Sequence, residues 1–104
     1  MFETATPVAE IVSFRLVKGA SAPEFIAAAR AIEPLLLATG HVLSRVLSEA
    51  EDGTWTDHIT WTSLQAAKTT AQAMMADPAA APMMGLIDPE NMSMRHAPIR
   101  YQQE

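Results

Sequence analysis

Apolar and polar residues alternate with a period of two in four separate segments of the chain, and this pattern is typical of β-strands. The four segments are residues 8–17, 41–49, 55–61 and 92–101. Both faces of segment 8–17 carry apolar side chains, so we expect this strand to lie at the centre of a sheet. Pro98 has no backbone N–H to donate, so the last strand is expected at a sheet edge. The Asp52-Gly53 turn joins the second and third strands as an antiparallel hairpin.

The segment between the first two strands has helical spacing. Ser21 and Glu24 form a capping box at its start, which satisfies two free backbone donors. Pro34 predicts a kink or an interruption of this helix, and Gly40 predicts its end. Four apolar residues at spacings of four, three and four form one stripe along this helix: Phe25, Ala29, Ile32 and Leu36.

A second helix is predicted over residues 63–76, with Thr62 as its cap and Gln65 reaching back in a second capping box. A further short helix over residues 79–86 and a turn at Asp88-Pro89 follow it. The stripe expected to face the sheet consists of Leu64, Ala67, Ala71 and Met74 or Met75.

The order strand, helix, strand, strand, helix, strand predicts an α+β fold of the ferredoxin-like type. In this βαββαβ plan two helices cover one face of a four-stranded antiparallel sheet. The 104 residues are expected to form a single domain, residues 1–104. Because strands one and two also have apolar residues on the other face, we expect a homodimer that packs sheet against sheet and forms an α/β barrel.

Composition excludes several classes of function. The net charge of -5 argues against nucleic acid and against anionic membranes as partners. No apolar run approaches the roughly 20 residues that span a bilayer, and the chain has no cysteine, which suits a cytoplasmic protein. A metal site is not expected, since His41, His58 and His96 lie on three separate predicted strands.

The third predicted strand, residues 55–61, has both tryptophans of the chain, a histidine and an acid. Its alternation places Trp55, Asp57, Ile59 and Trp61 on one face and His58 between two threonines on the other. Trp61, at the end of the strand and under a helix, has the position of an ordinary core residue. Asp57 on the same face has no obvious local partner, and a carboxylate that faces an apolar interior is costly unless it is paired. We therefore expect any site to include this strand, on one face or the other.

The chain resembles the antibiotic-biosynthesis-monooxygenase type of dimeric α/β-barrel domain. The resemblance rests on Ile59-Thr60-Trp61, on Leu64, Ala66 and Ala67, and on a helix that ends in Ala76-Asp77-Pro78. That superfamily includes cofactor-independent oxygenases of quinols and anthrones, haem-degrading enzymes and proteins with no known reaction.

In the similar oxygenases an asparagine four residues before the strand-end tryptophan shares its pocket between sheet and helices. This spacing corresponds to Asp57 and Trp61, so an aspartate stands in place of the asparagine. The glutamate often found two residues before the tryptophan is Ile59, and the histidine common after the proline is Ala79. Both departures argue against a direct transfer of quinol oxygenation or haem cleavage to this chain.

One hypothesis is a monooxygenase-like enzyme that needs no cofactor. A small aromatic substrate of the quinol or anthrone type would lie between Trp61 and the helices and lose a proton to Asp57. The indole N–H of Trp61, or Arg45, would stabilise the developing oxyanion. The catalytic candidates are thus Asp57, Trp61 and Arg45, and the residues expected to contact the ligand are Trp55, His58, Ile59, His96 and Met74.

The alternative hypothesis is a non-catalytic module for small-molecule binding or dimeric assembly. The tryptophan face would then be core, and His58 would lie in the dimer interface. His96 and Arg95 would pair with acids or with the partner chain, and a haem ligand at His58 or His96 is the less favoured option. The presence or absence of a cavity beside Trp61 would discriminate between the two hypotheses. Six methionines are expected to be adaptable core or pocket wall, namely residues 74, 75, 83, 84, 92 and 94.

Overall fold

The computed structural model describes residues 6–103, which form one four-stranded antiparallel sheet with helices against it. In chain order the elements are β1 (Val8–Leu16), α1 (Ala22–Ala31), α2 (Glu33–Thr39), β2 (Val42–Glu49), β3 (Trp55–Trp61), α3 (Leu64–Met75), a 3-10 turn (Pro78–Ala80), α4 (Ala81–Gly85) and β4 (Ile87–Pro98). The strand order is β2-β3-β1-β4, and all three neighbouring pairs are antiparallel. The ferredoxin-like prediction is confirmed, with β1 inside the sheet and β4 at its edge.

The first helical segment begins and divides as predicted. Ser21 Oγ accepts a hydrogen bond from the backbone of Glu24, and the Glu24 carboxylate accepts one from the backbone of Ser21. Because Pro34 cannot continue the ladder of α1, that helix ends at Ala31 and α2 begins at Glu33. Gly40 ends α2 with a φ of 71°, a left-handed conformation that glycine adopts without steric penalty.

The start of α3 differs from the prediction. Its cap is Ser63 rather than Thr62, and Ser63 Oγ accepts from the backbone N–H of Ala66 at 3.1 Å. Serine is the better of the two capping residues, which accounts for the one-residue shift. Gln65 donates to Thr69 instead of reaching back. The buried stripe moves with the helix start: Leu64 is exposed, and the buried residues are Ala66, Ala67 and Thr70.

A β-bulge at the start of β2 corrects the predicted face of that strand. Val42 lies opposite Trp61 and Ser44 lies opposite Thr60, so Leu43 is the extra residue. Val42 therefore packs on the core while Leu43 is 57% exposed. Simple alternation along residues 41–49 would place Leu43 on the same face as Leu47, but one inserted residue reverses the alternation and Leu43 does not pack on the core as Leu47 does.

The last strand also begins earlier than expected. β4 starts at Ile87 opposite Leu16, and Met92 lies opposite Phe14, so residues 88–91 bulge out of the ladder. The predicted turn at Asp88-Pro89 is this bulge, in which the Asp88 carboxylate accepts from the backbone of Glu90 and from the side chain of Asn91. The short helix predicted over residues 79–86 is a 3-10 turn followed by α4.

The core lies between the helices and one face of the sheet. Phe14, Phe25 and Trp55 form its aromatic part, with ring centroids 5.1–6.3 Å apart. The strand residues of the core cluster all lie on this face: Phe14, Trp55, Ile59, Trp61 and Ile87. We call the other side the uncovered face; it carries Ile11, Val46 and His58, and Val46 is 59% exposed.

Candidate functional site

A cavity of about 170 Å³ lies between the helix-facing side of the sheet and α3 and α4. Its wall is mostly apolar, and three charged side chains, Glu10, Arg45 and Asp57, interrupt it. Three larger depressions, of about 320, 480 and 360 Å³, are more open to solvent, and none of them has Asp57 or Trp61 in its wall. The remaining residues around the 170 Å³ cavity are Val12, Phe14, Ile32, Leu36, Ile59, Trp61, Ala71, Ala80, Ile87 and six methionines.

Strand β3 positions its side chains as the alternation predicted. Asp57, Ile59 and Trp61 are buried and border the cavity. Trp55 is also buried, but it packs within the aromatic cluster instead of contacting the cavity. His58 is exposed on the uncovered face, so the sheet separates it from the cavity.

Asp57 has a partner that the sequence did not reveal. Arg45 Nε donates to Asp57 Oδ1 at 3.1 Å, and Arg45 Nη2 donates to Asp57 Oδ2 at 2.9 Å. Arg45 Nη1 also donates to the backbone carbonyl of Ala29 at 3.1 Å. The two side chains are only 15% and 11% exposed, and their two-pronged geometry is the strong form of a charge-assisted hydrogen bond. The partner of Asp57 is thus not local in the sequence, because Arg45 lies 12 residues away on β2.

Glu10 is the site residue that sequence reasoning missed. This carboxylate borders the cavity, and its Oε1 lies 2.9 Å from Nε2 of His96 on the neighbouring strand β4. The prediction that His96 pairs with an acid is confirmed. The available signal was an acid on the same face of β1 as Val12 and Phe14, where a charge is costly unless it is paired. Arg95 forms no ion pair within residues 6–103, so its pairing with a partner chain stays a prediction.

The charged residues form a row across the sheet. Arg45 lies opposite Ile59, Ile59 lies opposite Glu10, and Glu10 lies opposite His96. Asp57 is two residues from Ile59 on the same face, so it is a diagonal neighbour of Glu10. Such neighbours lie about 7–8 Å apart, within reach of long side chains. Two acid–base pairs thus flank Ile59 at the wall of one cavity.

Trp61 borders the cavity and carries an unsatisfied hydrogen-bond donor. The residue is 2% exposed, and its indole Nε1 has no hydrogen-bond partner in the part of the chain that the structure describes. A buried donor without an acceptor costs about 1–3 kcal/mol, and each such group in a native protein calls for an explanation. Because this nitrogen is closed to solvent, an acceptor oxygen reaches it only if the surrounding side chains move.

The six methionines divide into an inner wall and a rim. Met83 is buried and Met74 is half-buried, whereas Met75, Met84, Met92 and Met94 are exposed by 41–79%. All six border the cavity, which confirms that they are core or pocket wall. Unbranched thioether side chains adapt to irregular shapes, so this rim can move aside for a ligand.

Haem does not fit these residues. The cavity is smaller than the roughly 300–1,000 Å³ that drug-sized ligands occupy. His58 lies on the far side of the sheet, and Nε2 of His96 is bonded to Glu10. Among residues 6–103, no cluster of three or more His, Cys, Asp and Glu side chains is arranged to hold a metal ion.

Within the same residues, no helix has the length and apolar character needed to cross a membrane.

The strand order and the position of the helices define a ferredoxin-like α+β fold with its cavity between sheet and helices. No protein-family model matches the chain, and no match was found among curated proteins. Solved structures do match over nearly the whole chain, and many are antibiotic biosynthesis monooxygenase-like proteins. The fold predicted from the sequence resemblance is thereby confirmed.

Three of these structures illustrate the likeness. SnoaB, a cofactor-independent oxygenase from Streptomyces nogalater, is 15% identical, with a TM-score of 0.65 over 96% of this chain and 97% of its own. A candidate antibiotic biosynthesis monooxygenase from Bordetella bronchiseptica is 14% identical, with a TM-score of 0.76 over 92% and 99%. Another from Caulobacter crescentus is 13% identical, with a TM-score of 0.70 over 94% and 93%. At such identities the likeness establishes the fold.

Proposed function

We propose that this domain binds a small electron-rich phenol or hydroquinone in the cavity and oxidises it with dioxygen, without a cofactor. The observation that carries the proposal is a mostly apolar cavity with Arg45 and two carboxylates in its wall, beside Trp61, whose buried indole N–H has no partner among the described residues. The description of SnoaB as a cofactor-independent oxygenase supports the type of reaction.

The cavity volume favours a substrate with one aromatic ring. An apolar cavity of about 150 Å³ accommodates benzene, and the volume here is about 170 Å³. An anthrone has three fused rings and would require the methionine rim to move. We therefore propose a hydroquinone as the first substrate to test.

The chemistry balances without an external reductant. A carboxylate takes the phenolic proton, while the Trp61 N–H and the Arg45 guanidinium stabilise the phenolate oxygen. The electron-rich ring then transfers electrons to dioxygen. One oxygen atom enters the ring and the other leaves as water, so that a hydroquinone becomes a hydroxyquinone and supplies all four electrons itself. Asp57 and Glu10 are the two carboxylates available for the proton.

Calorimetric titration with hydroquinone, followed by oxygen uptake, tests this proposal. We expect saturable binding by the wild type, and weaker binding by Trp61→Phe because that variant loses the N–H donor. Trp55→Phe is the matched control, since Trp55 is buried but does not border the cavity. A panel of one-, two- and three-ring quinols tests the size limit. Absence of both binding and oxygen uptake with every member of the panel would refute the proposal.

A second candidate function, assembly of a homodimer, is favoured by the uncovered face. Val46 is largely exposed there beside Ile11, and the described helices pack on the opposite side of the sheet. A second copy of the chain, packed sheet against sheet, would bury these residues. Val46→Glu should then lower the mass measured by light scattering from dimer to monomer. Leu37→Glu is the control, because Leu37 is 65% exposed on α2; a monomeric wild type would exclude this assembly.

A further inference from the structure

We propose that Glu10 is the base that removes the phenolic proton, and that His96 is the positioning residue that orients its carboxylate. This inference rests on the function proposed above and assigns the proton transfer within it. It differs from the sequence prediction, which gave that role to Asp57.

The two carboxylates differ in how many of their oxygens are free to accept a proton. Both oxygens of Asp57 accept hydrogen bonds from Arg45. Glu10 uses Oε1 for His96, and its Oε2 accepts no hydrogen bond from any residue between 6 and 103. A base needs a free lone pair that points at the proton, and Glu10 offers a whole unbonded oxygen at the cavity.

Glu10 also lies close to Trp61 in the wall of the cavity. Val8 lies opposite Trp61 and Glu10 lies opposite Ile59, so Glu10 and Trp61 are diagonal neighbours on the same face. Diagonal neighbours lie about 7–8 Å apart, a spacing at which long side chains meet. A phenol oxygen beside Trp61 would therefore lie within reach of Glu10.

His96 holds the Glu10 carboxylate in one orientation. With Glu10 ionised, His96 Nε2–H donates to Oε1, which leaves Oε2 directed away from that bond. The His96 side chain is 20% exposed at the edge strand, while that of Glu10 is 10% exposed. His96 thus fixes a mostly buried carboxylate from the solvent side. The proton that Glu10 receives returns to the oxygen atom that leaves as water, so the base is restored in each turnover.

The charged groups that face Glu10 are few. Arg45 and Asp57 approach from β2 and β3, and His96 approaches from β4. The helices contribute only alanine, isoleucine, leucine and methionine side chains to this cavity. A pH profile of turnover therefore reports on Glu10, His96 and the Arg45–Asp57 pair.

The test compares Glu10→Gln with Asp57→Asn, two variants that exchange one carboxylate oxygen for an amide nitrogen. Oxygen uptake gives kcat with hydroquinone, calorimetry gives its Kd, and urea unfolding shows that each variant is folded. We expect Glu10→Gln to lower kcat by about 10²- to 10⁴-fold with Kd changed by less than about threefold. Asp57→Asn should act mainly on Kd and KM. Glu10→Asp, which keeps a carboxylate on a shorter chain, should recover part of the lost kcat.

His96→Gln distinguishes positioning from a structural role. It keeps a donor toward Glu10 but removes the imidazole, so we expect a moderate loss of kcat and a changed pH profile at unchanged Kd. If Glu10→Gln keeps wild-type kcat while Asp57→Asn abolishes it, Glu10 is not the base and the sequence prediction was right. If the wild type neither binds nor oxidises any quinol, the proposed function itself fails, and this assignment fails with it.

Discussion

The Arg45–Asp57 pair allows a quantitative test of how the cavity wall is stabilised. The informative change is Arg45→Met, which keeps most of the side-chain length but removes the guanidinium. It deletes both hydrogen bonds to Asp57 and the bond to the carbonyl of Ala29, and it leaves the Asp57 carboxylate buried without its partner. The remaining wall around that carboxylate is mostly apolar.

The expected loss follows from the low exposure of the pair, 15% for Arg45 and 11% for Asp57. Breaking a buried pair by removing one partner costs about 3–5 kcal/mol, because the other charge stays uncompensated. This is a large share of the roughly 5–15 kcal/mol that stabilises a domain of this size. Replacing both residues, as in Arg45→Met with Asp57→Leu, should recover most of the loss, since a packed apolar pair is often as stable as a buried ion pair.

Urea denaturation at pH 7, followed by tryptophan fluorescence, measures the free energy of unfolding of each variant. Arg100→Met is the control, because Arg100 is exposed beyond β4 and should change that free energy by less than about 0.5 kcal/mol. A loss below about 1 kcal/mol for Arg45→Met would mean that the pair behaves like a surface salt bridge. An additive double variant would likewise refute the argument that the two side chains act as a unit.

Two further predictions concern the turns. Gly53→Ala should lower the free energy of unfolding more than Gly40→Ala, as measured by urea denaturation. Both glycines have positive φ, which costs other residues about 1–2 kcal/mol. Of the two, only at Gly53 would the added Cβ lie 2.9 Å from Arg15 Nη2, and moving this flexible side-chain end away would break its hydrogen bond to the carbonyl of Asp52. The backbone and side-chain hydrogen bonds of Thr54 lower the pKa of Asp52 below its ordinary value near 3.8, so its contribution to stability is present above that value and lost as the pH falls through the lowered pKa. Asp52→Asn should make the loss of stability below about pH 4 shallower, which urea midpoints measured across the acid range would detect.

The sequence predicted those parts of the fold that local patterns determine. The alternation in β3, the capping box at Ser21 and the interruption at Pro34 depend on neighbouring residues, and all three are confirmed. The bulges at Leu43 and at residues 88–91 depend on how one strand meets another. Val42 and Leu43 are both apolar, so the pattern carried no signal for which of them faces the core.

In the candidate site, too, the sequence predicted what depends on neighbouring residues and missed what depends on strand pairing. The sequence placed Asp57 and Trp61 on the buried face, because alternation within one strand is a local property. It did not pair Asp57 with Arg45, since the register of the hairpin decides which residue of β2 comes within reach. Glu10 and His96 are 86 residues apart, and only the pairing of β1 with β4 brings them together.

The placement of these charges favours a ligand site over an interior that serves only to support assembly. Glu10 and Asp57 are buried on the helix-facing side, and each depends on a partner from a different strand. Buried ion pairs contribute little net stability compared with apolar packing, so stability alone gives no reason to keep them. The fold would hold its sheet and helices together as well with leucine and methionine at these positions. Charges that do not stabilise the fold, beside a cavity and an unsatisfied indole N–H, have a physical rationale when a polar ligand binds there. Their arrangement, with one carboxylate held by arginine and the other by histidine, gives that ligand both a cation and a base.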